Sequence, residues 1–360
     1  MAFHRFPLTF VRPIEILSAC LERGLALRFL QVLAAVWFAC LAATPLFAQV
    51  PEDVVRTETS LVQLNVGVVD KQGRAITSLS PNDFVVYEDG VRRPIVHFEP
   101  TNTPFSLVLL LDMSGSTTSF RQQLQQAAFR FLDALGPGDR VSVVQFNGKG
   151  VKSLIGFSSN LRDVAYAISI AEGKGETPFY DALNYALKQL NKEDKRRKAI
   201  VVMTDGLDTK LRNIDRTAAA GAQTNEQAIG SIKPDTSPQF NAVLNNADRE
   251  GVTIFPLALP SGDPKRLPLP DPIITGIYTA ARTRLQTLAN RTGGRLNEIK
   301  RLDELARLYA EVAADLRSLY SIAYQPSTEH LHDGRWREIR IDVTPHPELI
   351  ARTKPGYFAR

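Results

Sequence analysis

Five residues from three separated stretches carry side-chain oxygens that could share one cation: Asp112, Ser114 and Ser116 in Asp112-Met113-Ser114-Gly115-Ser116, then Thr177, then Asp205. Alternation in an extended turn lets Asp112, Ser114 and Ser116 point the same way. Three hydroxyls and two carboxylates form an all-oxygen donor set, which suits Mg2+ or Mn2+, and Ca2+ less well. With so few anionic donors the ion keeps positive charge and can take a carboxylate from an acidic residue of a protein partner. Taken singly, each residue reads as a helix cap. Five at one edge point to a metal.

That edge requires a sheet. Phe105–Leu111 is a continuous apolar run, as expected for a strand buried on both faces of a parallel sheet, and it ends at Asp112. Strand Ala199–Met203 ends in Thr204-Asp205-Gly206, and the glycine-rich Gly173–Pro178 opens a helix and carries Thr177. Strands are also expected at 141–146 and 252–259. Helical periodicity occupies 124–135, 161–172, 180–191, 241–249, 278–290 and 302–316. Alternating strands and helices predict a doubly wound, mostly parallel α/β sheet, and in such sheets ligands bind at the carboxyl ends of the strands.

Flanking segments read as β structure. Leu61–Val69 and Phe84–Glu88 are strand-like, Asp89-Gly90 is a hairpin turn, and Ile95–Phe98 is expected to pair with 84–88. At the other end Tyr320–Tyr324, Arg337–Val343 and a short piece at 349–352 alternate in the same way. Each group is too small to hold a core alone. The expectation is therefore one small antiparallel β-sandwich, from residues 49–100 and 318–360, with the α/β domain of residues 101–317 inserted in it. Two insertions, Leu211–Gln239 and Pro260–Pro272, leave carboxyl ends of strands. They read either as walls that select a partner or as flexible loops.

The pattern Asp112-x-Ser114-x-Ser116, Thr177 and Asp205-Gly206 resembles the metal-ion-dependent adhesion site of von Willebrand factor type A domains. The resemblance covers about residues 101–317. It implies Ser114 and Ser116 as direct ligands, Thr177 direct in a tight-binding state, and Asp112 and Asp205 acting mainly through bound water. Asp83–Gly90, Thr292-Gly293-Gly294-Arg295 and Gly356-Tyr357 are similar to features of a secreted bacterial subgroup. Glu176 departs from the family pattern, which has a small residue before the threonine.

Other chemistries find little support. Beyond the first 48 residues the histidines are His97, His330, His332 and His346, all in the β segments. His330-x-His332 lacks a third zinc ligand, and a Gly-x-Ser-x-Gly elbow, a phosphate loop and a dinucleotide fingerprint are all missing. The reading is a binding module rather than an enzyme. Its alternatives are a metal-dependent hydrolase, using an ion to activate water, and a structural envelope scaffold with a non-functional metal site.

The formal charge of +5 comes from 43 basic and 38 acidic residues; past the first 48 residues it is 39 against 36, a net of +3. Nothing there asks for nucleic acid, and the run Lys195–Lys198 reads as a solvated turn. Leu25–Phe47 is apolar behind Arg23 and ends at Ala48 before Gln49, as in a secretory leader over residues 1–48. Left uncut, it would be a membrane anchor. Cys20 and Cys40 both lie inside it, so the expected mature chain is periplasmic or secreted, with no membrane span and no thiol chemistry.

Overall fold

The computed structural model describes residues 61–359, apart from 102, 194–195, 267–270 and 328–332. The expected leader, both cysteines, Lys195, His330 and His332 lie outside the described residues. Among those that are described, no helix is long and apolar enough to cross a membrane.

The α/β layer is built on β5 (Phe105–Asp112), β6 (Arg140–Asn147), β7 (Gly150–Ser158), β8 (Arg197–Thr204), β9 (Val252–Ala258) and β10 (Asn297–Glu298). Their order is β10-β9-β8-β5-β6-β7. All neighbours are parallel except β6 and β7. The antiparallel edge strand β7 was not expected, because its residues are only half buried and lack the apolar run that marks the central strands. Every residue of β5 is buried, and its side chains alternate between two cores. Leu107, Leu109 and Leu111 join helices α1 (Arg121–Asp133), α2 (Leu161–Ser169) and α8 (Leu305–Ser318) on one face. Val108 and Leu110 join α3 (Phe179–Leu190), α6 (Pro238–Glu250) and α7 (Pro272–Thr292) on the other. Truncating such a side chain to alanine typically costs about 2–5 kcal/mol.

The flanking strands are β1 (Val62–Val69), β2 (Phe84–Glu88), β3 (Val91–Arg93), β4 (Ile95–Glu99), β11 (Leu319–Tyr324), β12 (Trp336–Val343), β13 (Ile350–Arg352) and β14 (Gly356–Phe358). They form two four-stranded sheets, β13-β1-β11-β4 and β14-β12-β2-β3. One core joins them, with Leu64, Val66, Tyr320 and Ile322 facing Phe84, Val86, Ile339 and Ile341. Strands from before and after the α/β segment thus pair into one antiparallel sandwich. One expected pairing fails. Residues 95–98 pair with β11, not with β2, and the hairpin partner of β2 is β3. Pro94 separates β3 from β4, so the chain leaves one sheet there and enters the other. Phe98 still meets Phe84, across the core at 5.8 Å.

The insertions are not bare loops. Residues 209–239 contain α4 (Thr209–Ala218), α5 (Asn225–Ser231) and the start of α6. They are held to α7 by a buried bidentate pair, Arg284 to Asp215 at 2.6 and 2.8 Å, and Arg284 Nε also donates to Pro234 O. Residues 260–266 form two short 3-10 turns before α7.

Arg196 and Arg197, from the run read as a solvated turn, differ from that reading. Arg197 is 3% exposed. Its guanidinium donates to Leu316 O at 3.1 Å, Leu319 O at 2.6 Å and Thr103 O. Arg196 donates to Ser106 Oγ, Phe105 O and Gly138 O. Main-chain carbonyls left open where the chain passes between layers draw these arginines inward, because buried carbonyls need donors.

Candidate metal centre

Asp112 is the last residue of β5, and the sheet continues to grip the chain beyond it. Met113 N donates to Phe146 O at 2.9 Å. Ser114 then adopts extended backbone, φ −72° and ψ 178°, and its N–H donates to Asp112 Oδ1 at 3.0 Å. Thr117 Oγ1 donates back to Asp112 O and Ser114 O at 2.7 and 3.1 Å. The turn so fixed places Ser114 Oγ 3.2 Å from Ser116 Oγ. Ser114 and Asp112 are fully buried, whereas Ser116 is exposed, so the cluster is open on one side.

Asp205 follows the end of β8, the neighbour of β5. Thr204 Oγ1 donates to Asp112 Oδ2 at 2.8 Å and accepts from Gly206 N at 3.0 Å. Asp205 Oδ1 accepts from Leu207 N at 3.1 Å. Its other oxygen, Oδ2, is buried and has no hydrogen-bond partner. Burial, with the neighbouring Asp205 charge, pushes the Asp112 carboxyl up to about 7. Burial also raises Asp205; Leu207 N, the Ser116 hydroxyl and Arg282 oppose that rise. Two desolvated carboxyls side by side disfavour their shared negative charge unless a cation joins them.

Thr177 arrives on the third loop. Gly175 O accepts from Gly115 N at 3.0 Å, and Lys174 O accepts from Gly148 N at 2.9 Å. Arg121 donates to Gly173 O at 2.7 Å. Thr177 N donates to Thr209 Oγ1 at 2.9 Å, and Thr209 N returns a bond to Thr177 O. The threonine is thus pinned between the Ser114–Ser116 turn and the segment that follows Asp205, and is itself buried. Glu176 is exposed and leaves the buried part of the cluster to its neighbour.

Asp112, Ser114, Ser116 and Asp205 therefore stand together, with the Thr177 loop bonded to the same turn. Among the described residues, no three His, Cys, Asp or Glu side chains cluster as a metal site, so any ion here depends on hydroxyl and water oxygens beside the two carboxylates. The unpartnered Asp205 Oδ2 and the wholly oxygen donor set fit a hard cation.

Three participants were not anticipated. Thr204 precedes Asp205 at the strand end and could have been suspected from that position. Thr117 acts only on main-chain carbonyls. Arg282 comes from α7 and has no local signal: it donates to Leu259 O at 3.2 Å, beside the end of β8, since Leu259 N donates to Thr204 O. Its Nη1 is buried without a partner.

With this geometry in place, residues 107–207 match the family model described as von Willebrand factor type A domain. The chain contains a von Willebrand factor type A domain. Solved structures similar to it include a von Willebrand factor type A protein from Catenulispora acidiphila, 14% identical, TM-score 0.42, covering 72% of this chain and 51% of that one. Another is the vWF domain of the type V pili tip protein Mfa5 from Porphyromonas gingivalis, 15% identical, TM-score 0.44, covering 60% and 95%. A third is the pilus adhesin SpaC from Lactobacillus rhamnosus GG in its open conformation, 13% identical, TM-score 0.43, covering 79% and 48%. The chain spans about half the length of the Catenulispora and SpaC chains. No curated protein sequence matches it.

Two of the subgroup segments lie at a turn and at a close backbone approach. Asp89-Gly90 turns β2 into β3. In Thr292-Gly293-Gly294, Thr292 Oγ1 accepts from Ile254 N. A Cβ on Gly294 would lie 2.1 Å from Ile254 O, so only glycine lets α7 end against β9.

Proposed function

We propose that this protein is an exported binding module, not an enzyme. One Mg2+ or Mn2+ ion, with Ca2+ the poorer fit, is held by Asp112, Ser114, Ser116, Thr177 and Asp205. The ion takes a carboxylate of a protein partner as a further ligand. When bound, it supplies a positive charge that remains only partly neutralised. Ser114 and Ser116, joined by Thr177 in a tight-binding state, would offer hydroxyl oxygens, while Asp112 and Asp205 would hold bound water in place. Export rests on the leader-like residues 1–48, and a periplasmic or secreted location follows from it.

The observation that carries this reading is the buried, unpartnered Asp205 Oδ2 beside Asp112 at the carboxyl edge of the sheet. An uncompensated buried carboxylate oxygen is costly, and water held by a cation is the partner that its surroundings suit. The edge offers no histidine as a general base: the described histidines, His97 and His346, belong to the β segments.

Isothermal titration should give one Mg2+ or Mn2+ per chain, with affinity reduced at least tenfold in Asp112→Ala. Protein retained from envelope extract by the wild type should be released by EDTA and not be retained by Asp112→Ala. Equal ion binding by the wild type and Asp112→Ala would sink the proposal.

A further inference from the structure

A groove of about 510 Å3 runs between α6 and the sandwich, and none of its lining residues belongs to the metal edge. Such a volume lies within the range of about 300–1,000 Å3 usual for small-ligand sites. Its wall is half apolar and half polar. Leu61 and Phe358 expose 49% and 38% of their surface. Asn241 and Asn245, one helical turn apart on α6, add amides. The end wall holds Lys354, which is only 6% exposed.

Lys354 is a buried cation without an ion pair among the described residues, its Nζ lying 5.7 Å from the centre of the Tyr357 ring. Its Nζ makes a long 3.4 Å hydrogen bond to the main-chain Asp248 O, and an ammonium carries three donors. The Asp248 carboxylate accepts instead from Arg291, at 2.6 Å. Burial draws the Lys354 ammonium below the usual lysine range; Asp248 opposes this and Arg291 adds to it. Among the described residues the charges around the groove are therefore Lys354, Arg291 and Arg249 against Asp248 and Glu250, an excess of one positive charge. Arg291 is fixed in place, stacked 4.5 Å from the Trp336 ring. The excess charge thus sits in a prebuilt wall rather than on a swinging side chain.

We propose that this groove binds a small amphipathic carboxylate, its acid against Lys354 Nζ and its apolar stem along Leu61 and Phe358. With Arg249 in the lining paired to Glu250, a net excess of one positive charge in a half-apolar cleft matches a monoanion. A phosphate would call for a fork of several donors.

Titration with decanoate below its micelle concentration tests this, with decanol and inorganic phosphate as comparisons. EDTA is kept present throughout, so that the proposed metal edge cannot hold the acid. One decanoate per chain is expected, decanol binding at least tenfold more weakly, and phosphate not binding. Lys354→Met, which keeps the stem and removes the charge, should weaken decanoate at least tenfold. Ala242→Trp, made at an exposed position on α6, should fill the groove and abolish binding while leaving the buried core untouched. The assignment is wrong if the wild type does not bind decanoate, if decanol binds as tightly, if phosphate binds in its place, or if Ala242→Trp still binds it. Because the site shares no residue with the metal edge, either proposal can fail without the other.

Discussion

Thr204 donates a 2.8 Å hydrogen bond to Asp112, so the ends of β8 and β5 are joined through the two carboxylate-bearing turns. The same hydroxyl accepts from Gly206 N, which ties the turn after Asp205 to Asp112. Thr204→Val keeps the shape but leaves Asp112 Oδ2 without this donor. The expected loss is about 1–3 kcal/mol of stability, with weaker Mg2+ binding. Thr204→Ser should retain both. Urea unfolding and ion titration on the three proteins decide it; a valine variant with unchanged ion affinity would count against the link.

Protonation of Asp112 should substitute for the ion. Its carboxyl is raised from 3.8 to about 7 by burial and by Asp205, so between those values the native state holds a proton that the unfolded chain has released. Stability from this group is then present at low pH and is lost as pH rises towards 7. In EDTA the wild type should lose thermal stability relative to Asp112→Asn between pH 5 and pH 8. Saturating Mg2+ should cancel that loss. Melting curves that run parallel for the two proteins in EDTA would rule the effect out.

The Arg284–Asp215 pair should decide whether residues 209–239 are a wall or a loop. Both side chains are buried, at 4% and 6% exposure, and removing one partner leaves the other charge stranded. Arg284→Met should cost about 3–5 kcal/mol and speed amide exchange across α4 and α5. Adding Asp215→Leu should recover most of that stability. If amide exchange in this segment is already fast in the wild type, the insertion is the flexible element that its polar composition suggested.

Gly206 should tolerate no side chain. Its φ is +87°, and a Cβ would lie 2.8 Å from Leu285 Cδ1 on α7. Gly206→Ala is expected to cost about 1–3 kcal/mol in backbone strain, and more if α7 is displaced. Ion affinity should fall with it, since Asp205 rides on the same turn. Calorimetry and ion titration together check this; an alanine variant with wild-type affinity would show that the turn can shift without disturbing Asp205.

Much of the fold was legible because its signals are local. The apolar run of β5, the helical periodicities around it and the Asp89-Gly90 turn each specify their own element. That Asp112, Ser114 and Ser116 share one turn was readable from spacing, and that Asp205 stands beside them from its place at a strand end. Long-range choices were less legible. Residues 95–98 could join either sandwich sheet, and their alternation is the same in both. The half-buried β7 has no run to mark it. Arg282 reaches the edge that carries Asp112 and Asp205, and Arg197 the chain crossings, only through tertiary packing, so neither shows a pattern in its own neighbourhood.

Arg197 has a mechanical consequence. The α/β layer connects to the sandwich at two points, before β5 and between α8 and β11, and one guanidinium grips carbonyls at both. Tension across the layer would reach the two attachments together through Arg197. Resistance to pulling should therefore fall when Arg197 is removed, and the remaining hold would rest on contacts such as Asn65 to Gly251 O and Thr253 Oγ1.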